Sequence, residues 1–358
     1  MKIAILGGGN GSYAAVADMI EAGHDVFWWR RSADSFAGVK NAGGLSVVDF
    51  EGTRLVSPKM TDQIAEAIEG AELILVPTPA NAQADIAEAL APHLADGQVI
   101  YLPPGTFGSF VMMKQIRTQG SNARFMIAET GTLPWLARKT DDHTVRITTR
   151  ASRLPTGVLP AKRSKEALEI LNKAFPEAIE PAEDALAGAL MNAGPIIHPP
   201  LIMMNAGPIE HFDAWDIHNE GTQPSIRNVH TALDAERIAV REALGYGAPH
   251  FPLADHYETS DWMYGNLAHD KLVGSGDWHE PLDLRSHRYL TEDIGLGLAF
   301  LVSVANWVKV PCPVASGLLA IAGAASGNDF TTWPRTFEAL ELAGESRETV
   351  QTMLQEGF

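Results

Sequence analysis

The chain has 358 residues, 46% of them apolar, with 27 basic and 44 acidic side chains for a net charge of −17. That length favours two cores over one. The acidic balance argues against nucleic acid or an anionic membrane as partner, so any anionic ligand must be met by local cations. A single cysteine, Cys312, excludes an internal disulfide, fits a reducing cytoplasm, and reads as buried filler between two prolines.

In chain order, "KIAIL" (2–6) is an apolar strand that begins at the second residue, which leaves no room for a leader. "GGGNGS" follows, then a helix over 13–24 and a strand over 25–29. "LSVVDF" and "TRLVS" form an expected hairpin around Glu51-Gly52. Helices at 62–71, 82–94 and 110–120 then alternate with strands at 72–77, 98–102 and 124–129. After "TVRITTR" (144–150) comes a helix at 164–175. Strands separated by helices imply a parallel sheet covered on both faces. From about 181 the segments are helix-like. The expected fold is an α/β dinucleotide-binding (Rossmann-type) domain, 1–180, and a mostly α-helical domain, 181–358. The run "IGLGLAFLVSVANWV" (294–308) is too short to span a bilayer and reads as a buried helix. No Cys/His cluster has metal-ligand spacing.

The loop Gly7-Gly8-Gly9-Asn10-Gly11-Ser12 joins strand to helix, the context a dinucleotide fingerprint needs. Gly7 makes the turn, and Gly9 admits a pyrophosphate. Asn10 and Gly11 open the helix, and Ser12 replaces the usual third glycine. The second strand ends in Arg30 and Arg31, with Ser32 behind, where an NAD enzyme usually carries an acid. Two guanidiniums suit a 2′-phosphate, so NADP(H) is expected over NAD(H). The turns "VPTPAN" (76–81) and "LPPGTFG" (102–108), containing Thr78 and Pro104, lie at carboxyl ends of strands and are expected to flank the nucleotide.

In the second half "MNAGPI" occurs twice, at 191–196 and 204–209, each time with a histidine six positions after its asparagine. His198 lies among apolar residues and His211 among polar ones. Gly-Pro interrupts each helix. Histidine is the side chain best suited to move a proton near neutral pH, and the residues alone leave both open, His198 ahead. A polar knot, Arg285, His287, Arg288, Glu292 and Asp293, precedes the most apolar helix. "DAERIAVRE" (234–242) reads as solvated charge pairs on a helix face.

The ordered set "LGGGNGSYA", "LPPGTFG", "AET" (128–130), "MNAGPIIHPP", "EGTQPSIRNV" with "DAERIAV", and "RYLTEDIGLGL" (288–298) resembles the octopine/nopaline-type opine dehydrogenases. The resemblance covers both domains. It implies NADPH-dependent, reversible reductive condensation of an α-keto acid with an amino acid or other amine through an imine. It further implies His198 as proton carrier, Asp293 as its orienting acid some ninety-five positions later, and both beside the nicotinamide. Arg288 would be the substrate-carboxylate ligand and Asn192 a neighbour of the site. The lead-in "GSGDWHEPLDLRSHRY" (274–289) departs from the family pattern, and its Trp278 and His279 would bear on the amine accepted. Apolar helices near 294–325 offer a homodimer surface or core. The alternatives are a 2-hydroxyacid or ketopantoate-like reductase, which commonly uses a lysine (only Lys271 and Lys309 follow residue 181), and a non-catalytic NADP(H) sensor.

Overall fold

The computed structural model describes residues 1–265 and 268–358. They form two compact units, Met1–Ala189 with Thr352–Phe358, and Leu190–Gln351.

In the first unit short apolar runs make the expected strands. β1 (Lys2–Leu6) enters α1 (Asn10–Glu21) and β2 (Asp25–Trp29), followed by α2 (Ala37–Asn41). The hairpin β3 (Leu45–Asp49) and β4 (Gly52–Val56) leads to β5 (Lys59–Thr61), α3 (Ile64–Ile68) and β6 (Leu73–Leu75). Then come α4 (Gln83–Leu90), β7 (Val99–Leu102), α5 (Gly108–Thr118) and β8 (Met126–Thr130). β9 (Trp135–Lys139), β10 (Thr144–Arg150), β11 (Leu154–Leu159), α6 (Ser164–Ala174), β12 (Ile179–Pro181) and α7 (Ala185–Ala189) complete it.

The main sheet runs β12-β11-β8-β7-β6-β1-β2-β5, parallel from β8 to β5; β11 pairs antiparallel with β8, a departure from the all-parallel expectation. β1 has β2 on one side and β6 on the other, so the strand order reverses there. This reversal opens the crevice in which such sheets bind nucleotides. The hairpin does not stand alone: β4-β3-β10-β9 form a second, four-stranded sheet. Arg150 binds it to α1 through Asp18 (2.7 Å) and to β3 through Asp49 (2.9 Å).

The change of unit, after Ala189, lies later than the 180/181 expected from sequence. Gly157 and Gly188 are the reason: a Cβ at Gly157 would overlap the Asp184 carbonyl, and one at Gly188 would press on that of Glu129. Bare backbone lets α7 lie directly on β8 and β11.

The second unit is helical. It comprises α8 (Gly194–Met203), α9 (Ala206–His211), α10 (Pro224–Ala243), α11 (Ala254–Glu258) and α12 (Ala268–Ser275). A ten-residue π-helix follows at Tyr289–Leu298, then α13 (Ala299–Val308), α14 (Pro313–Ser326) and the start of α15 (Arg347–Glu356), which from Thr352 belongs to the first unit. The run 294–308 is buried through most of its length, as expected. "DAERIAVRE" is corrected: Asp234, Arg237 and Arg241 are buried, not solvated. Arg237 bonds Asp234 (2.6 Å) and the carbonyls of Leu190 and His250, while Asp234 also accepts from Leu253 N–H. Buried charges persist when paired and fully hydrogen-bonded. Glu236 caps α14 through the Val314 and Ala315 amides. Cys312 is buried and its thiol pKa is pushed up to about 12 by that burial.

Candidate active site

The candidate nucleotide site lies wholly in the first unit. Gly7 has φ +119°, open to glycine and strained for other residues, and a Cβ there would sit 2.7 Å from Thr78 Cγ2. Gly11 is closed in by Leu133 and Pro77, so the loops after β1 and β6 meet across the strand reversal. Gly9, by contrast, has nothing within 4 Å of its Cβ position and is exposed. Gly9 also precedes an α1 whose first turn has no side-chain cap and no acid. Uncapped amides at a helix start attract an anion. Ser12 Oγ and Thr78 Oγ1 are buried without a hydrogen-bond partner, and buried hydroxyls of this kind call for one. Open space, free amides and two orphaned hydroxyls fit a pyrophosphate. Asn10 Oδ1 accepts from Lys139 N–H at 3.0 Å.

The two arginines after β2 part company. Arg30 lies 5.3–5.8 Å from the ring centres of Phe36, Trp28 and Tyr13. It donates to the Ser35 carbonyl and Tyr13 hydroxyl, and covers Gly8, where a Cβ would fall 2.7 Å from its Nε. Arg31 is exposed and pairs with Asp85 at 3.2 Å. The loop containing Pro104 is shaped from below. Buried Glu129 accepts from Phe107 N–H, Ser109 N–H and Ser109 Oγ–H, and Gln83 Nε2 donates to Gly105 O. These bonds hold Thr106 and Phe107 at φ +54° and +58°, a costly conformation for non-glycine residues. Sequence reasoning missed Gln83 and saw Glu129 only inside "AET". An acid interrupting an apolar strand was the available signal.

A second candidate site, around His198, lies in the second unit. His198 Nδ1 and Asp293 Oδ2 are 3.0 Å apart, a charge contact rather than an aligned hydrogen bond. Two glycines permit it. A Cβ on Gly194 would overlap Asp293 Oδ1, and one on Gly297 would overlap Pro195, so α8 and the π-helix touch through bare backbone. Asn192 Oδ1 accepts from Gly194 N–H at 3.0 Å, fixing the turn into α8. Tyr289 stacks on the imidazole at 3.9 Å. Burial pushes the Asp293 pKa up to about 6, against the pull of Arg288 and His287. Arg288, immediately before the π-helix, is exposed; desolvation opposes its charge, but Glu292 and Asp293 outweigh that and hold its pKa above the ordinary value.

His230, which sequence reasoning passed over, donates through Nε2 to the Ile197 carbonyl (2.9 Å) and accepts from Tyr257 Oη (3.4 Å). Burial lowers its pKa to about 4, so it is neutral and holds the residue before His198. His218 stands edge-on to His198 at 5.8 Å and to Trp278 at 6.3 Å. His279 is half exposed and lies 3.3 Å from Glu220. His211 is exposed at the end of α9, against Phe212. Lys271 and Lys309 are both exposed.

Two family models match the chain: the NAD/NADP octopine/nopaline dehydrogenase alpha-helical domain over residues 181–326, and ketopantoate reductase PanE/ApbA over residues 3–104. The chain is 27% identical to an opine dehydrogenase of Arthrobacter sp. (strain 1C), covering 98% of each. It is similar in fold to octopine dehydrogenase solved with NADH and agmatine (TM-score 0.73, 19% identity, 100% of this chain and 98% of that one). It is also similar to yersinopine dehydrogenase with NADP+ bound (TM-score 0.64, 14% identity, 99% and 98%).

Proposed function

From a chain that belongs to the octopine/nopaline-type opine dehydrogenase family, and so is an NAD(P)-dependent oxidoreductase acting on a CH–NH bond, we propose NADPH-dependent joining of an α-keto acid to the amino group of an amino acid or related amine. The single observation that carries this reading is the 3.0 Å approach of His198 to Asp293.

Condensation expels the keto oxygen as water and leaves an imine; reduction then places hydrogen on carbon and a proton on nitrogen. The dinucleotide supplies the hydride. His198 as imidazolium would give the imine nitrogen its proton as hydride adds to carbon, and would take that proton back from the amine when the reaction runs in reverse. The Asp293 carboxylate favours that charged imidazole and fixes its tautomer. Arg288 offers a substrate carboxylate a two-toothed donor. Octopine dehydrogenase, solved with NADH and L-arginine and with NADH and pyruvate, illustrates the substrate pair. Arg30, beside Gly8, supports a preference for NADPH.

The ketopantoate reductase match over 3–104 favours a second reading, a hydroxyacid enzyme. One assay separates them: protein, NADPH, pyruvate and a pool of amino acids, read by absorbance and mass spectrometry. Loss of NADPH that requires both carbonyl and amine, with a new secondary amine, supports the proposal. Loss with carbonyl alone favours the hydroxyacid reading, and no loss favours a sensor.

A further inference from the structure

The four-stranded sheet looks like an ornament on the nucleotide-binding unit, yet it delivers a cation to the glycine loop. Lys139 ends β9. Its backbone N–H donates to Asn10 Oδ1 in the first turn of α1, and three residues further along α1 Tyr13 Oη donates to the carbonyl of Asp142, in the turn leading to β10. These two bonds clamp the sheet to α1. The clamp sets Lys139 Nζ 4.3 Å from the centre of the Tyr13 ring, whose centre also lies 5.8 Å from the Arg30 guanidinium carbon.

No carboxylate pairs with either cation among the described residues. The arginines nearby are already engaged: Arg54 holds Asp49 and Glu21, and Arg150 holds Asp49 and Asp18. In a chain with a net charge of −17, two cations on one ring with no acid between them form a local positive site. Like charges held together in this way are relieved by an anion. The pyrophosphate has the α1 amides at Gly9–Gly11. Arg30 instead covers Gly8 at the end of β2, the position where the adenosine ribose is read.

We propose that Lys139 is a second cation for the 2′-phosphate of the nucleotide, brought by the small sheet to the same Tyr13 ring as Arg30. The inference rests on the NADP reading above and adds to it a residue from outside the strand-turn-helix motif.

The test is calorimetric titration of the full-length chain with 2′,5′-ADP and with 5′-ADP. Wild type is expected to bind 2′,5′-ADP more tightly. Lys139→Met is expected to weaken 2′,5′-ADP about tenfold, the size of one charge contact, and 5′-ADP less than twofold. Lys139→Arg should recover most of the loss. The salt dependence of 2′,5′-ADP binding should flatten in Lys139→Met. Equal weakening of both nucleotides would overturn the proposal, as would no change in either while wild type still prefers 2′,5′-ADP; in that case Arg30 and the NADP reading survive. A wild type that binds both equally sinks the two together. Thermal unfolding of each variant shows whether the half-exposed strand end tolerates the exchange, and Lys139→Gln replaces Met if it does not.

Discussion

The hexapeptide Met-Asn-Ala-Gly-Pro-Ile appears twice, thirteen residues apart, and the two copies have different fates. In the first, Asn192 holds Gly194, Gly194 lies bare against Asp293, and His198 meets that same acid. In the second, Asn205 is buried. Its Nδ2 donates to Leu201 O and Gly221 O, and its Oδ1 accepts from Trp215. Gly207 faces open space and His211 faces water. Identical local chemistry meets a buried acid in one place and serves as scaffold in the other. The partner packed on the glycine makes the difference.

Five measurements break or sharpen that contrast. His198→Ala should lower kcat by about 10²–10⁴-fold, the usual effect of removing a general acid–base group, with nucleotide binding retained, whereas His211→Ala should stay within twofold. Equal loss in both would erase the distinction between the copies. Gly194→Ala should come next. Its methyl cannot coexist with the Asp293 carboxylate, so steady-state turnover should drop at least about tenfold, with a cost of about 1–3 kcal/mol from overpacking. Gly207→Ala carries the same penalty of preceding a proline but meets nothing, and chemical denaturation should place it within about 1 kcal/mol of wild type.

The third measurement is a pH profile. Ionised Asp293 is penalised by burial, so its carboxylate is present only above about pH 6 rather than above the ordinary 3.8. Turnover should therefore decline as pH falls through about 6, and Asp293→Asn should abolish that limb along with most activity. Arg288→Lys should raise the KM for the keto acid by about tenfold while sparing kcat, because an ammonium cannot bind bidentately. The smallest effect concerns stability. Neutral, buried His230 has a folded pKa of about 4, below the 6.5 of the unfolded chain. Its contribution is complete above pH 6.5 and is lost as pH falls toward 4. His230→Gln should flatten the acid side of the unfolding midpoint curve.

Much of the first unit was legible because strands buried on both faces are short apolar runs, and the glycine loop stands where its mechanism requires. β9 and β11 were not read, since "WLARK" and "LPTGV" carry charge or proline and lack a clean alternation. Nor was the burial of Asp234 and Arg237: their spacing is that of a wet helix face, and only distant carbonyls at Leu190 and His250 make the interior tolerable. The choice between the two histidines could not be made from either neighbourhood, because the deciding acid arrives from another helix.

The wide helix that carries this acid brings residues five apart onto one side, as the common helix does residues four apart. Removing one residue between Leu290 and Asp293 would invite the chain back to the common 3.6-residue repeat. It would stay helical, and residues four apart in the common helix share a side as residues five apart do in the wide one, so Arg288 and Asp293 would still face together. A gap of a single position in a relative's alignment here would mark a return to the common helix with the pair kept.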